Sequence, residues 1–299
     1  MKSLRRWWTP AILVLGVAVV SQCAGGREVT VSVALGVPAK SPDSQTVPPL
    51  PTPRPAPRQA VEPGGAGWEE HVTLHVVTTG QPFDESAEEG LMCLAEVRGR
   101  AILFAAGAPP EALERKLKTV NRRLDRVRVL VAGDQEGATA FSDFVDATAQ
   151  ARVVVPAGVT VPWTGISRVE EAAAPLEVSP EVFVTGSRTL GAPTQALVIR
   201  TGAGWVAVTG CSGPATDDLV AGITESLGSP VLWVVGGVHT GFEPDAASAR
   251  LLVDRLTELG VRRVAVVPCT REPVREVLRQ RFASALLEIQ PGAVAVFKP

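Results

Sequence analysis

The chain has 299 residues, 45% of them hydrophobic, which is enough to bury one substantial core. Its 29 basic and 31 acidic residues leave a net charge of −2, which gives no electrostatic reason to expect nucleic acid or an acidic membrane surface as a partner. The four cysteines include no C-x-x-C pair, so a zinc ribbon has no support.

The N-terminus has the pattern of an export signal. A basic flank precedes the apolar run Ala11–Val20, which is shorter than the roughly 20 residues needed to span a bilayer but typical of a signal-peptide core. The tetrapeptide Val20–Cys23 resembles a bacterial lipoprotein cleavage site, although Gln22 departs from the small residue usual before the cysteine. We expect residues 1–23 to be a signal peptide, Cys23 to be lipidated, and the protein to face outside the cytoplasm in the bacterial envelope, anchored to the membrane. Plain secretion or an uncleaved anchor is the alternative.

A proline-rich segment follows. After a short alternating run at 29–35, residues 38–67 are dominated by Pro, Ala, Gly, Ser and Thr. Such a composition favours extended polyproline II and cannot bury enough apolar area to fold. We expect residues 24–67 to be a disordered linker between the membrane and a folded domain, residues 68–299. A ligand for a proline-recognising module is the alternative reading of this segment.

The folded domain is predicted to consist of two halves, each opening with paired strands and continuing with alternating strands and helices. Strands are predicted at Val72–Thr78, Leu91–Val97, Arg100–Phe104, Arg128–Ala132, Arg152–Val155, Ala196–Arg200, Trp205–Thr209, Val231–Val235, Val264–Val267, Leu286–Ile289 and Val294–Phe297. Helices are predicted from Pro109 or Pro110 to Leu124 and at Thr139–Ala149, Thr216–Ser226, Asp245–Leu259 and Pro273–Phe282. This order favours a four-layer αββα sandwich. A doubly wound sheet is the alternative, weakened by the paired strands and by the lack of a G-x-G-x-x-G loop.

Three turns follow buried strands, in positions where active sites form. Thr209–Gly213 reads T-G-C-S-G, Gly236–His239 reads G-G-V-H, and Pro268–Thr270 reads P-C-T. Their order and spacing resemble the metallo-β-lactamase superfamily, specifically its dihydropterin-aminobenzene phosphate synthase-like branch, where the stretches read T-G-C-S-H, G-G-F-H and H-C-T-G. The resemblance covers about residues 72–297 and implies the αββα metallo-β-lactamase fold.

The metal ligands of that family are missing from the matched positions. Gly213 and Pro268 stand where the branch has metal-binding histidines, and Ala105 stands where its D-T-G strand end has aspartate. The family's H-x-H-x-D-H motif falls on Gly133, Gln135, Gly137 and Ala138. Hydrolytic metal sites need several imidazole and carboxylate ligands. The resemblance therefore implies the fold without its metal, and we expect no metal or other cofactor.

Several side chains capable of chemistry remain near the three turns. The resemblance places a small-molecule cleft among Asp134, Gln135, Cys211, Ser212, His239 and Thr270. Cys211 and His239 are the catalytic candidates, with a hydrogen-bonded histidine in a glycine-rich turn as the plainer alternative for His239.

Two further questions stay open from the sequence. Asp134 and Glu136, or Asp217 and Asp218, could bind a hard cation, although the latter two fit the first turn of a helix equally well. Cys211 and Cys269 lie in turns that converge in the family, so they could form a disulfide or remain two buried thiols.

The sequence therefore predicts an exported, membrane-tethered protein of metallo-β-lactamase fold that has lost metal hydrolysis, a pseudoenzyme that binds a ligand or acts as a scaffold. The alternative is a hydrolase with altered chemistry that uses Cys211 or Ser212 with His239, or a noncanonical metal site. A purely structural role in an envelope complex is the third hypothesis.

Overall fold

The computed structural model describes residues 17–24, 27–34, 72–79, 90–106, 126–142, 151–163, 168–189, 192–202, 204–210, 216–240, 245–289 and 293–297. The predicted helix ending at Leu124, the proline-rich spacer, and the candidates Cys211 and Ser212 lie outside these residues.

The described strands form two large sheets and one small one. They are β1 (Val17–Ala24), β2 (Arg27–Ala34), β3 (Val72–Thr79), β4 (Leu91–Val97), β5 (Arg100–Ala106), β6 (Val127–Ala132), β7 (Arg152–Pro156), β8 (Val169–Ala172), β9 (Leu176–Ser179), β10 (Val182–Val184), β11 (Arg188–Thr189), β12 (Pro193–Thr194), β13 (Leu197–Thr201), β14 (Gly204–Gly210), β15 (Val231–Gly236), β16 (Arg263–Val266), β17 (Leu286–Glu288) and β18 (Val294–Phe297). The first sheet has the order β1-β2-β18-β3-β4-β5-β6-β7-β8 and the second β17-β16-β15-β14-β13-β10-β9, while β11 pairs with β12.

The described helices are α1 (Gln135–Ala140), α2 (Thr216–Leu227), α3 (Ala246–Glu258) and α4 (Glu272–Phe282), which continues into a 3₁₀ turn, Ala283–Ala285. Local sequence explains where two of them begin. Asp245 starts α3 through a capping box, in which its carboxylate accepts from Ser248 N at 2.7 Å and Ser248 Oγ accepts from Asp245 N at 3.1 Å. A proline in the first turn of α4 costs no hydrogen bond there.

The two halves repeat one pattern. In the first, β4 and β5 form an antiparallel hairpin, and β6 and β7 then add in parallel. In the second, β13 and β14 form the hairpin, and β15 and β16 add in parallel. In each half the parallel strands end at the same edge of their sheet, which is where the turns singled out in the sequence lie.

Apolar side chains separate the layers. Phe104 and Val208 belong to the core between the sheets, Leu130 and Phe141 to the core on the outer face of the first sheet, and Leu252 to the core between the second sheet and its helices. Strands covered on both faces read as nearly continuous apolar runs, as β4 does. The predicted four-layer αββα sandwich is confirmed, and a single doubly wound sheet is excluded.

Two parts of the sequence-based assignment differ from the structure. The helix Gln135–Ala140, with Asp134 as its N-cap, was not predicted and overlaps the helix predicted at Thr139–Ala149 only at Thr139 and Ala140; residues 143–150 of that prediction are not described. The short strands β8 to β12 were not predicted, since segments such as Val-Glu-Glu-Ala carry charged residues and no clear alternation.

The N-terminal strands belong to the first sheet. Strand β2 pairs with β18, and β1 pairs with β2, within the segments predicted as signal peptide and linker. The domain boundaries at 23 and 67 stay predictions, as does lipidation of Cys23. Among the residues that the structure describes, no helix has the length and apolar character needed to cross a membrane.

Candidate functional site at the strand ends

The turns of the second half meet through backbone hydrogen bonds. Gly237 N donates to Gly210 O at 2.7 Å, and Val267 N donates to Gly236 O at 3.2 Å. Gly210 has a φ of +72°, and a Cβ on it would lie 2.4 Å from Cβ of Ala106 in the first sheet. Only glycine satisfies both requirements, so Gly210 lets the second half approach the first.

Three buried threonine hydroxyls hold these turns in place. Thr216 Oγ1 accepts from His239 N at 3.2 Å and donates to Gly237 O at 3.4 Å, where Thr209 Oγ1 also donates at 3.4 Å. Thr270 Oγ1 accepts from Val238 N at 3.1 Å. Since each hydroxyl satisfies backbone groups of a neighbouring turn, Thr270, a predicted cleft residue, has a structural function here. Thr209 and Thr216 were missed; Thr209, inside the end of β14, and Thr216, at the start of α2, had no distinct signal in the sequence.

His239 lies against the sulfur of Cys269. Nε2 is 3.4 Å from Cys269 Sγ, and the ring covers Gly237, whose missing Cβ would fall 2.4 Å from Nε2. Cys269 is disulfide-bonded, so its sulfur can only accept and Nε2 must carry the proton. Burial and, secondarily, the charge of Arg271 lower the pKa of His239 to about 4, so the imidazole is neutral at physiological pH.

The first half has no room for the family's ligand side chains. A Cβ on Gly137 would lie 2.0 Å from Ala105 O, and a Cβ on Gly133 would lie 2.7 Å from Ala106 Cβ and 2.8 Å from Phe104 Cζ. Real Cβ atoms essentially never approach neighbours this closely. The space that ligands at these two positions would need is occupied by the end of β5.

Asp134 and Gln135 are engaged in local structure. Asp134 is 2% exposed, and its Oδ1 accepts from Gly137 N at 2.7 Å as the N-cap of α1. The Gln135 amide forms a pair of hydrogen bonds with the backbone of Thr160, donating to its carbonyl at 2.7 Å and accepting from its N–H at 2.9 Å. These contacts anchor α1 and the loop after β7, and neither requires a ligand.

A buried glutamine joins the two halves. Gln195, 1% exposed and just before β13, donates from Nε2 to Ala132 O at 2.7 Å and from its backbone N to Gly133 O at 2.8 Å. The sequence reasoning missed this residue; its only signal was a polar side chain directly before an apolar strand.

Solved structures similar to this chain belong to the metallo-β-lactamase superfamily. Tm1679, a metal-dependent hydrolase of the β-lactamase superfamily, shares 17% identity with a TM-score of 0.57, over 75% of this chain and 98% of that one. YhfI from Bacillus subtilis, a metallo-β-lactamase fold protein, shares 13% identity with a TM-score of 0.56, over 76% of this chain and 99% of that one. The chain has the metallo-β-lactamase fold. No protein-family model and no curated protein matches its sequence.

The metallo-β-lactamase fold implies a metal centre, and the residues at the matched positions do not fit one. Gly133 and Gly137 have neither side chains nor space for them, and Ala138 is fully buried among apolar neighbours. Within the described ranges, no three His, Cys, Asp or Glu side chains lie close enough together to hold a metal ion. One of the two pairs considered for a hard cation, Asp217 and Asp218, lies in the first turn of α2, as the helix-end alternative predicts.

The structure brings some of the predicted cleft residues together. His239 and Thr270 belong to one hydrogen-bonded cluster of turns, whereas Asp134 and Gln135 serve α1 and its neighbouring loop. Cys211, Ser212 and Gly213 lie outside the described residues, so their part in the site stays a prediction.

Proposed function

We propose that this chain is an exported, membrane-tethered metallo-β-lactamase-fold protein that has lost metal-dependent hydrolysis and acts as a binding or scaffold module. The observation that carries the proposal is the steric closure of the ligand positions: a side chain at Gly137 would collide with the backbone of Ala105. A metal site weakened by one substitution would keep its space. Here the backbone occupies that space, so loss of the ligands is built into the packing.

The export part of the proposal rests on the N-terminal pattern of basic flank, apolar run and Cys23. Expression of the full chain in a bacterium, followed by fractionation and mass spectrometry of the N-terminal peptide, tests it. A membrane-associated protein whose N-terminal residue is a lipidated Cys23, and a Cys23→Ser variant released from the membrane or left unprocessed, are the expected results. An uncleaved protein in the cytoplasmic fraction would refute export.

The loss of hydrolysis is tested separately. Full-length protein exposed to excess zinc and manganese and then desalted is assayed with phosphodiester and lactam substrates, beside a metal-loaded metallo-β-lactamase-fold hydrolase as positive control. We expect no turnover above the buffer rate. If the protein retains a stoichiometric amount of metal and its turnover rises with the metal bound, this part of the proposal is wrong.

One observation supports an alternative function. His239 has a neutral imidazole 3.4 Å from the disulfide-bonded sulfur of Cys269, and the predicted candidates Cys211 and Ser212 follow β14 directly in the sequence. The alternative function is an altered hydrolase or a thiol-dependent enzyme at this cluster. Thiol titration of reduced protein with iodoacetamide near pH 7 distinguishes the two: a thiol that reacts no faster than free cysteine argues for the non-catalytic role.

A further inference from the structure

A cavity of about 680 Å³ opens at the end of the sandwich opposite the three turns. It lies where β5 and β6 begin and where β9 ends, so both sheets contribute to its wall. The described residues that matter here are Glu96, Arg100, Arg126, Arg128, Val178 and Ser179. Ligand sites for small molecules commonly have volumes of about 300–1,000 Å³.

Both sheets depart from regular pairing at this cavity. In β6, Ala101 pairs with Val127 and Ile102 pairs with Val129, so Arg128 is an extra residue. In β9, Val182 pairs with Ser179 and Phe183 pairs with Glu177, so Val178 is an extra residue. Bulges of this kind redirect side chains and are over-represented beside active sites. The cavity thus has one bulge in each wall.

The charge of the cavity is positive. Arg100 and Arg126 stand side by side, because the residues that follow them, Ala101 and Val127, are paired in the sheet. Arg128 adds a third guanidinium to the lining, which also includes Glu96, whose carboxylate is hydrogen-bonded to His75 Nε2 at 2.8 Å. Across the part of the chain described, neither Arg100 nor Arg126 has an ion-pair partner. A guanidinium pair of this kind matches the oxygens of a phosphate or carboxylate.

A buried hydroxyl also faces the cavity. Ser179 is 6% exposed, and its Oγ is buried and has no hydrogen-bond partner among the described residues. A buried polar group without a partner costs free energy, so its retention points to a partner that binds from outside the chain. Val178 and Val129 supply an apolar part of the wall, which an inorganic ion would leave uncovered.

We infer that this cavity binds a small organic anion, with its phosphate or carboxylate group held by Arg100 and Arg126, a hydrogen bond to Ser179 Oγ, and an apolar body against the two valines. The site is separate from the turn cluster and does not depend on whether that cluster is catalytic. A failure of either proposal therefore leaves the other standing.

Isothermal titration of the full-length chain in non-ionic detergent with phenyl phosphate tests the inference. Inorganic phosphate tests the anionic group alone, benzoate tests a carboxylate head, and benzyl alcohol tests the apolar body alone. We expect one equivalent of phenyl phosphate or benzoate to bind more tightly than either partial probe. Equal affinity for inorganic phosphate would overturn the assignment of an organic ligand, and no binding of either aromatic anion at millimolar concentration would overturn the site.

Variants locate the binding. Arg100→Gln and Arg126→Gln should each weaken binding of the aromatic anion about tenfold, the size of one lost charge-assisted hydrogen bond. Arg250→Gln, at an exposed arginine of α3, is the matched control and should leave affinity unchanged. Ser179→Ala removes an unpartnered hydroxyl, so it should weaken binding without lowering the urea midpoint, and it keeps the inference testable if an arginine variant folds poorly. Binding that survives Arg100→Gln and Arg126→Gln together would place the ligand elsewhere and refute the inference.

Discussion

Gly137 and Gly133 are the residues on which the proposed absence of a metal centre rests most directly. Each lies where the family resemblance places a ligand, and each is packed so tightly that even a methyl group would meet the end of β5. A side chain at either position could therefore be accommodated only if β5 or α1 moved.

Gly137→Ala should therefore lower the free energy of unfolding by about 2–3 kcal/mol, because the new Cβ would overlap Ala105 O. Gly222→Ala in α2 is the control, since the nearest atoms to its Cβ would be the far end of the flexible Arg188 side chain, and helix propensity favours alanine by up to about 1 kcal/mol. Urea unfolding followed by circular dichroism measures both. Equal midpoints for wild type and Gly137→Ala would show that the packing is looser than the structure indicates.

His239 makes stability depend on pH. Its folded pKa of about 4 lies below the ordinary value of 6.5, so the unfolded chain binds the additional proton between these values. The stabilisation is complete above pH 6.5 and is lost as pH falls toward 4, by about 3 kcal/mol in total. The free energy of unfolding is measured from pH 4 to 7.5 for wild type and His239→Gln. As pH falls through this window, it should decrease more steeply for wild type than for the variant. Parallel profiles would contradict the burial of the imidazole.

At the scale of elements, α1 depends on one cap. Asp134→Ala should destabilise the protein by about 1–2 kcal/mol because Gly137 N loses its acceptor, whereas Asp134→Asn retains an acceptor and should cost less. Asp218→Ala, in the exposed first turn of α2, is the comparison and should change stability by less than about 0.5 kcal/mol. If Asp134→Ala and Asp218→Ala unfold alike, the cap does not stabilise α1.

The turns of the second half include a disulfide-bonded cysteine beside the buried threonines. Cys269 is disulfide-bonded, while Cys93 is a buried free thiol whose pKa burial raises to about 12. We predict Cys211 as the partner, because Gly210, which precedes it, accepts from Gly237 N, and a Cβ on Gly237 would lie 2.8 Å from Cys269 Sγ.

Peptide mapping of unreduced protein should recover one cross-linked species containing Cys211 and Cys269. Closing a loop of about 60 residues, the bond should stabilise the fold by about 4 kcal/mol, and Cys269→Ser should lower stability by a comparable amount. A cross-link to a different cysteine would refute the pairing.

The elements that the sequence predicted are those whose periodicity is set by burial. Strand β4 and helix α2 have hydrophobic patterns that match their secondary structure, so their bounds were predicted within a residue. The arrangement of the site could not be predicted, because it depends on contacts distant in sequence: Gln195 with Ala132, or Gly133 with Phe104. The cavity at the opposite end depends on two β-bulges, which leave no local signature in the sequence.

At the scale of the whole molecule, contacts between side chains and backbone join the two halves. Gln195 ties the end of β6 to β13, Ala106 packs against Gly210, and the ion pair of Arg98 with Glu181, 3.4 Å apart, links hairpin turns of the two sheets. These contacts join the halves without requiring a shared ligand.

We propose that this metallo-β-lactamase fold holds no metal. The most direct test is elemental analysis of the full-length protein after exposure to excess zinc, manganese and iron and subsequent desalting. We expect less than about a tenth of an equivalent of any of these metals, because the ligand positions lack donor atoms and space. A full equivalent retained by wild type and lost in His239→Gln or Asp134→Ala would contradict the claim and place a metal centre at the strand ends.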